Sequence, residues 1–170
     1  VIENKNKYAF IRTTNLIKKP DQETIFDVNS NYNSSEFGYF CGSWMGDGSI
    51  STSEPPKTHN EIAFSNSNQK ILDKHKSTLD FTLHNVVSNP QYDIRSYPAK
   101  KRPLTGNNYS DTENPQIRVT NKDLHMLLYE NFASVKYTNK RSVNSETKYI
   151  PQEYGFYEKF FIAFMAGYLD

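Results

Sequence analysis

Residues 37–48 read FGYFCGSWMGDG, and Gly38, Gly42 and Gly46 recur at every fourth position through an otherwise apolar stretch. Glycine costs a helix interior about 1 kcal/mol relative to alanine. Positions i, i+4 and i+8 share one helix face, so a helix over 36–46 carries a ridge that lacks side chains. Such a ridge lets a second helix backbone approach more closely than ordinary side chains permit. Phe37, Phe40 and Trp44 form the other face and suit a core. The helix is therefore built to touch its own domain and a second helix. Ser34 or Ser35 supplies the N-cap and Glu36 a first-turn acid. Asp47 ends the helix, with Gly48 as its C-cap.

The second helix comes from the end of the chain. In YEKFFIAFMAGYLD, Ala163 and Gly167 lie four apart, Ala166 adds a small residue, and Phe160, Phe161 and Phe164 flank them. Two helices with such ridges pack side by side and bring their C-termini together. A carboxylate at a helix C-terminus opposes the macrodipole by about 0.3–1 kcal/mol, and broken local rules mark functional sites. Carboxylates at two converging helix ends concentrate negative charge. A hard cation relieves it, and oxygen ligands with retained waters suit Mg²⁺.

Between the two helices, three segments alternate with period two. Ile62 and Phe64 oppose Glu61, Ala63 and Ser65; Tyr92 and Ile94 oppose Gln91, Asp93, Arg95 and Tyr97; Ile117 and Val119 oppose Gln116, Arg118 and Thr120. This predicts antiparallel strands buried on one face. Helical spacing follows Ser67 (as N-cap) and Asn121, the latter helix carrying Leu124, Leu127, Leu128 and Phe132. The predicted order is helix, strand, strand, helix, strand, strand, helix. That is an α+β fold whose sheet is covered on its inner face by helices.

Residues 1–34 are polar and Asn-rich and read as an arm or linker. A chain of 170 residues with 36% hydrophobic content, including 12 Tyr and 11 Phe, can bury a real core. The single Cys41 excludes an internal disulfide and a Cys-based zinc site. No run approaches the ~18–20 apolar residues of a membrane span, and the first residues lack a signal-peptide pattern, so an intracellular protein is expected. The net charge of +1 leaves any basic face to charge placement. His59, His75, His84 and His125 show no metal-ligand spacing, and His75 and His125 read as partly exposed helix residues.

FCGSWMGDG and MAGYLD resemble the two signature helices of the LAGLIDADG homing endonucleases. Gly42 matches the first glycine of that motif and Asp47–Gly48 its terminal Asp-Gly; Met45 and Gly46 depart from it. The second motif matches at Ala166, Gly167, Leu169 and Asp170. Phe40 and Met165, where the two motifs start, lie 125 positions apart, about one family half-domain. The resemblance covers roughly residues 36–170. It implies a half-domain over 35–156, of helix-strand-strand-helix-strand-strand-helix order with a saddle-shaped sheet, and the start of a second motif helix over 157–170. A catalytic acid would stand at position 172, with a second half-domain in the same polypeptide. Residues 1–170 alone would then not cut both strands of a duplex.

The family cleaves both strands of a long DNA target by metal-dependent hydrolysis. The resemblance implies that Asp47, with the Gly46 backbone beside it, binds Mg²⁺. KYIP, Lys148 to Pro151, resembles intein-encoded and mating-type-switching members. There a lysine lies near the scissile phosphate, which makes Lys148 the candidate for polarising the nucleophilic water or stabilising phosphorane charge. The outward strand residues Glu61, Ser65, Gln91, Arg95, Gln116, Arg118 and Thr120 would read bases. Lys100, Lys101, Arg102, Lys140 and Arg141 would contact phosphates. Two further readings fit the same residues: a LAGLIDADG-type RNA maturase that assists intron splicing, and a DNA-binding protein of this fold that has lost cleavage.

Overall fold

The first helix, α1 (Ser35–Asp47), begins where the Ser34 Oγ accepts a hydrogen bond from the Phe37 N–H at 3.2 Å. Residues 31–51, 60–87, 92–101, 112–132, 142–143, 148 and 158–170 are described in the computed structural model. α1 is not amphipathic: every residue from Phe37 to Met45 is buried. It lies between the sheet and a second helix and so needs apolar or small residues all round. The 3-10 turn Asn31–Asn33 packs with it; Tyr32 sits edge-on to Phe37 at 5.9 Å and donates to the Val86 carbonyl. Tyr32 and Asn33, which fall in the stretch read as an arm, are buried against α1.

α1 passes directly into β1 (Gly48–Ser51). Gly48 caps the helix in extended conformation (φ −87°), not in the left-handed one that usually selects glycine there. Its glycine has a steric reason. A Cβ at Gly48 would lie 2.4 Å from Trp44 Cδ1 and 2.7 Å from Trp44 Cα.

The remaining elements are β2 (Glu61–Ser65), α2 (Gln69–Asn85), β3 (Arg95–Tyr97), β4 (Lys100–Lys101), β5 (Thr112–Glu113), β6 (Gln116–Thr120), α3 (Lys122–Phe132), β7 (Ser142–Val143) and α4 (Glu158–Leu169). The chain is α+β. The main sheet runs β3-β6-β2-β1-β7, antiparallel throughout. Ile50, Ile62, Phe64, Ile117 and Val119 point to the inner face and are buried. α1, with Leu72, Leu79 and Leu83 of α2 and Leu124, Leu127, Leu128 and Phe132 of α3, completes the same core.

Three local expectations need correction. α2 is capped by Asn68, whose Oδ1 accepts from the Lys70 N–H at 3.0 Å, and not by Ser67. Of the predicted strand over 91–97, the described residues pair only at Arg95–Tyr97. Tyr92 instead donates to Asp80 of α2 and packs on His84, so that segment docks on the helix. His75 and His125, expected to be partly exposed, are both 1% exposed. His75 lies between Tyr39 and Phe64 at ring distances of 6.1 and 5.4 Å, and His125 stacks on Tyr129.

β4 and β5 continue the β3–β6 pairing in the same register: Tyr97 faces Gln116 and Lys100 faces Glu113. That shared register would set Pro98 opposite Pro115 between the two ladders. Proline has no N–H to donate, so the ladder stops at this pair and resumes beyond it.

Candidate active site at the paired helix ends

α1 and α4 run parallel in backbone contact. A Cβ at Gly38 would lie 2.4 Å from the Phe160 carbonyl oxygen, one at Gly42 1.9 Å from that of Phe164, and one at Gly46 3.1 Å from that of Tyr168. From the α4 side, a Cβ at Gly167 would lie 2.3 Å from the Tyr39 oxygen and 2.9 Å from the Ser43 nitrogen. Ala163 is half-buried beside this seam. Ala166 is exposed and outside it. Being one residue before Gly167 it is turned about 100° around the helix, and the α4 atoms that meet the α1 glycines belong to the backbone of Phe160, Phe164 and Tyr168.

The parallel arrangement puts Asp47 and Asp170 at the same end of the pair. Asp170 accepts from the Tyr39 hydroxyl at 2.6 Å and from Lys74 Nζ at 3.3 Å. The Tyr39 bond is the main reason its carboxyl lies below the usual range, with Lys74 adding to it. Burial, then the Asp170 bond, push the Tyr39 phenol up. Lys74 also stands 3.9 Å over the Tyr39 ring, so one cluster ties α1, α2 and α4 together. Burial lowers the pKa of His75, while both Asp47 and Asp170 pull it back up. Neither His75 nitrogen has a hydrogen-bond partner among the described residues.

Asp47 is half-buried and its Oδ2 accepts from Asn66 Nδ2. Lys148 reaches the same helix end. Its ammonium donates to the carbonyls of Trp44 (2.6 Å), Met45 (3.1 Å) and Gly48, and lies 4.7 Å over the Trp44 ring. These three bonds use all three ammonium donors and place a cation where the macrodipole is negative. The unfavourable position of Asp47 is thereby offset.

Burial, only partly countered by Asp47, lowers the pKa of Lys148 to about 8. The folded chain thus sheds this proton before the unfolded chain does. Lys148 is least favourable to stability below pH 8, and its contribution improves as pH rises from about 8 to 10.5. Denaturation midpoints of wild type and Lys148→Met across that range are expected to diverge in favour of wild type as pH rises. A constant difference would contradict this.

The predicted base-reading residues fall on one sheet face where they are described. Glu61, Ser65, Arg95, Gln116, Arg118 and Thr120 all lie opposite the buried face by register. The rung Ser65–Gln116–Tyr97 is nearest Asp47, since Gly48 pairs with Phe64. Arg118 donates to Gln116 Oε1 at 2.8 and 3.1 Å and to Glu61 Oε1 at 3.3 Å, and lies 5.0 Å over the Tyr97 ring. Arg95 is exposed and bonded to Asp93 at 2.9 Å. Lys100 and Lys101 are exposed on the ribbon beyond the proline pair. Gln91, Arg102, Lys140 and Arg141 lie outside the described residues.

The donors offered to a cation at this helix end are hard oxygens. They would be the Asp47 carboxylate, one oxygen of which accepts from Asn66, and the backbone carbonyl of exposed Gly46 beside it. That set fits Mg²⁺, which takes one or two protein carboxylates and completes its shell with water and phosphate. Among the described residues no group of three His, Cys, Asp or Glu side chains forms a metal cage, and no helix is long and apolar enough to cross a membrane.

Asn66, Tyr39 and Lys74 were not singled out by the sequence. The signal for Asn66 is the Asn-Ser-Asn run between β2 and α2, which marks a turn and nothing about Asp47. Set against family models, curated proteins and solved structures, the chain matches none.

Proposed function

We propose that this chain is a site-specific, metal-dependent DNA endonuclease of the LAGLIDADG homing type. The observation that carries the reading is the parallel backbone seam of α1 and α4, which sets Asp47 and Asp170 at one end of the pair beside a polar sheet face. In this reading Asp47 and the Gly46 carbonyl hold Mg²⁺, which when bound supplies an activated water and charge stabilisation at a phosphate. Lys148 holds the helix end and presents positive charge next to Asp47. Gln116 and Arg118 read base edges, with Glu61 and Tyr97 holding the guanidinium in place. Lys100 and Lys101 extend the contact along the backbone. A second half-domain in the same polypeptide would cover the exposed Phe161, Ile162, Tyr168 and Leu169 of α4. Plasmid nicking in Mg²⁺ and in EDTA tests the activity itself.

The two kinds of DNA contact are separable. Arg118→Ala is expected to relax preference at one or two target positions by about 1–3 kcal/mol. Lys101→Ala is expected to weaken all duplexes alike and reduce the slope of log K against log salt by about one. Binding to a panel of single-base target variants at several salt concentrations distinguishes them. Identical profiles for the two variants would remove Arg118 from the reading face.

A further inference from the structure

We infer that Asn66 is a positioning residue that fixes the Asp47 carboxylate for a divalent cation, an inference that rests on the endonuclease reading above. Asn66 is half-buried and follows β2 immediately, and the Gly48–Phe64 pairing brings that strand end against the end of α1. Its amide is used at both ends. Oδ1 accepts from the Asn68 N–H at 2.8 Å, and Nδ2 donates to Asp47 Oδ2. Only one orientation of the amide satisfies both neighbours. The Asn68 N–H can only donate and an ionised carboxylate can only accept. Asn68 is held in turn, because its own side chain caps α2.

Asp47 is thereby clamped from the sheet side while α1 fixes its backbone. One carboxylate oxygen is committed to Asn66, and the other accepts no hydrogen bond among the described residues. Groups that orient a metal-binding carboxylate in this way typically matter by 10–100-fold in metal affinity. Lys148 acts on the same helix end through backbone carbonyls, whereas, among the described residues, Asn66 bonds to the Asp47 carboxylate directly.

The test uses nuclear magnetic resonance on the whole chain. In metal-free protein the Asn66 side-chain amide protons are expected to be shifted downfield and slow to exchange, and to lose both properties in Asp47→Ala. Absence of that signature in wild type overturns the inference. Mn²⁺ alone is then titrated and is expected to broaden the Gly46 and Asp47 amide resonances. Asn66→Ser keeps an oxygen for the Asn68 N–H but removes the amide donor, and is expected to weaken the titration about 10- to 100-fold. Asn68→Ala removes the α2 cap without removing the Asp47 contact. It is expected to lower Tm and leave the titration in place. An Asn66→Ser protein that titrates like wild type overturns the inference and leaves the endonuclease reading standing. A wild-type protein with the amide signature but no Mn²⁺ response at Gly46 and Asp47 overturns the endonuclease reading, and the inference with it.

Discussion

Gly42→Leu is expected to destabilise the fold by more than about 3 kcal/mol, a large share of the 5–15 kcal/mol typical of a domain. Helix propensity alone points the other way, since leucine is the better helix former by most of 1 kcal/mol. The sign is set by the seam. A Cβ at position 42 would meet the Phe164 oxygen at 1.9 Å, the Phe164 carbon at 2.8 Å and the Tyr168 nitrogen at 2.9 Å. All three are backbone atoms of α4, so no rotamer change relieves the contact and the helices must separate. Gly46→Ala is the internal control. Its Cβ would lie 3.1 Å from the Tyr168 oxygen, a contact that a shift of a few tenths of an ångström relieves, and its effect is expected to stay within about 1 kcal/mol. Urea denaturation of both variants measures the difference. An unchanged or raised midpoint for Gly42→Leu would refute the backbone contact.

Asp47→Asn is expected to abolish Mg²⁺-dependent cutting while leaving specific DNA binding within about tenfold. The charge that recruits the cation is lost, and with it several kcal/mol of stabilisation at the phosphate, a rate effect on the order of 10³-fold or more. Binding draws mainly on phosphate contacts from basic side chains, which the substitution does not touch. Folding is expected to be close to unchanged. Asparagine keeps a carbonyl oxygen for the Asn66 donor and removes a charge from the wrong end of a helix dipole. A variant that folds, binds and fails to cut separates chemistry from architecture; gel-shift and nicking assays on one preparation provide both readings.

What could be read from the sequence was whatever is periodic over a local window. The four-residue spacing of glycines foretold a ridge, and the structure sets that ridge on α4. The alternation in EIAFS and QIRVT foretold which side chains face the core. Elements too short to have a period escaped, as with β1 over four residues and β7 over two. Helix face was legible only where apolar residues marked it. A histidine fits either helix face, and the burial of His75 is set by tertiary neighbours such as Tyr39 and Phe64. Ala166 has the size of a seam residue but not the angle, and is exposed. Lys148 stands in a local motif, but the carbonyls it bonds lie 100 or more positions away in the chain. The Asn66–Asp47 bond and the Tyr39–Asp170–Lys74 cluster are likewise tertiary, with no local pattern to announce them.

The most direct test of a cation-dependent cutting site at the end of α1 is a nicking selection. A plasmid library bearing long random inserts is incubated with the chain in Mg²⁺, in EDTA, and with Asp47→Asn in Mg²⁺, and the broken ends are sequenced. The expected result is nicking of one strand, without double-strand cuts, at a narrow set of related sequences in Mg²⁺, absent from the other two reactions. Scission that persists undiminished in Asp47→Asn, or none in Mg²⁺ from a folded chain that binds specific duplexes, would contradict the account.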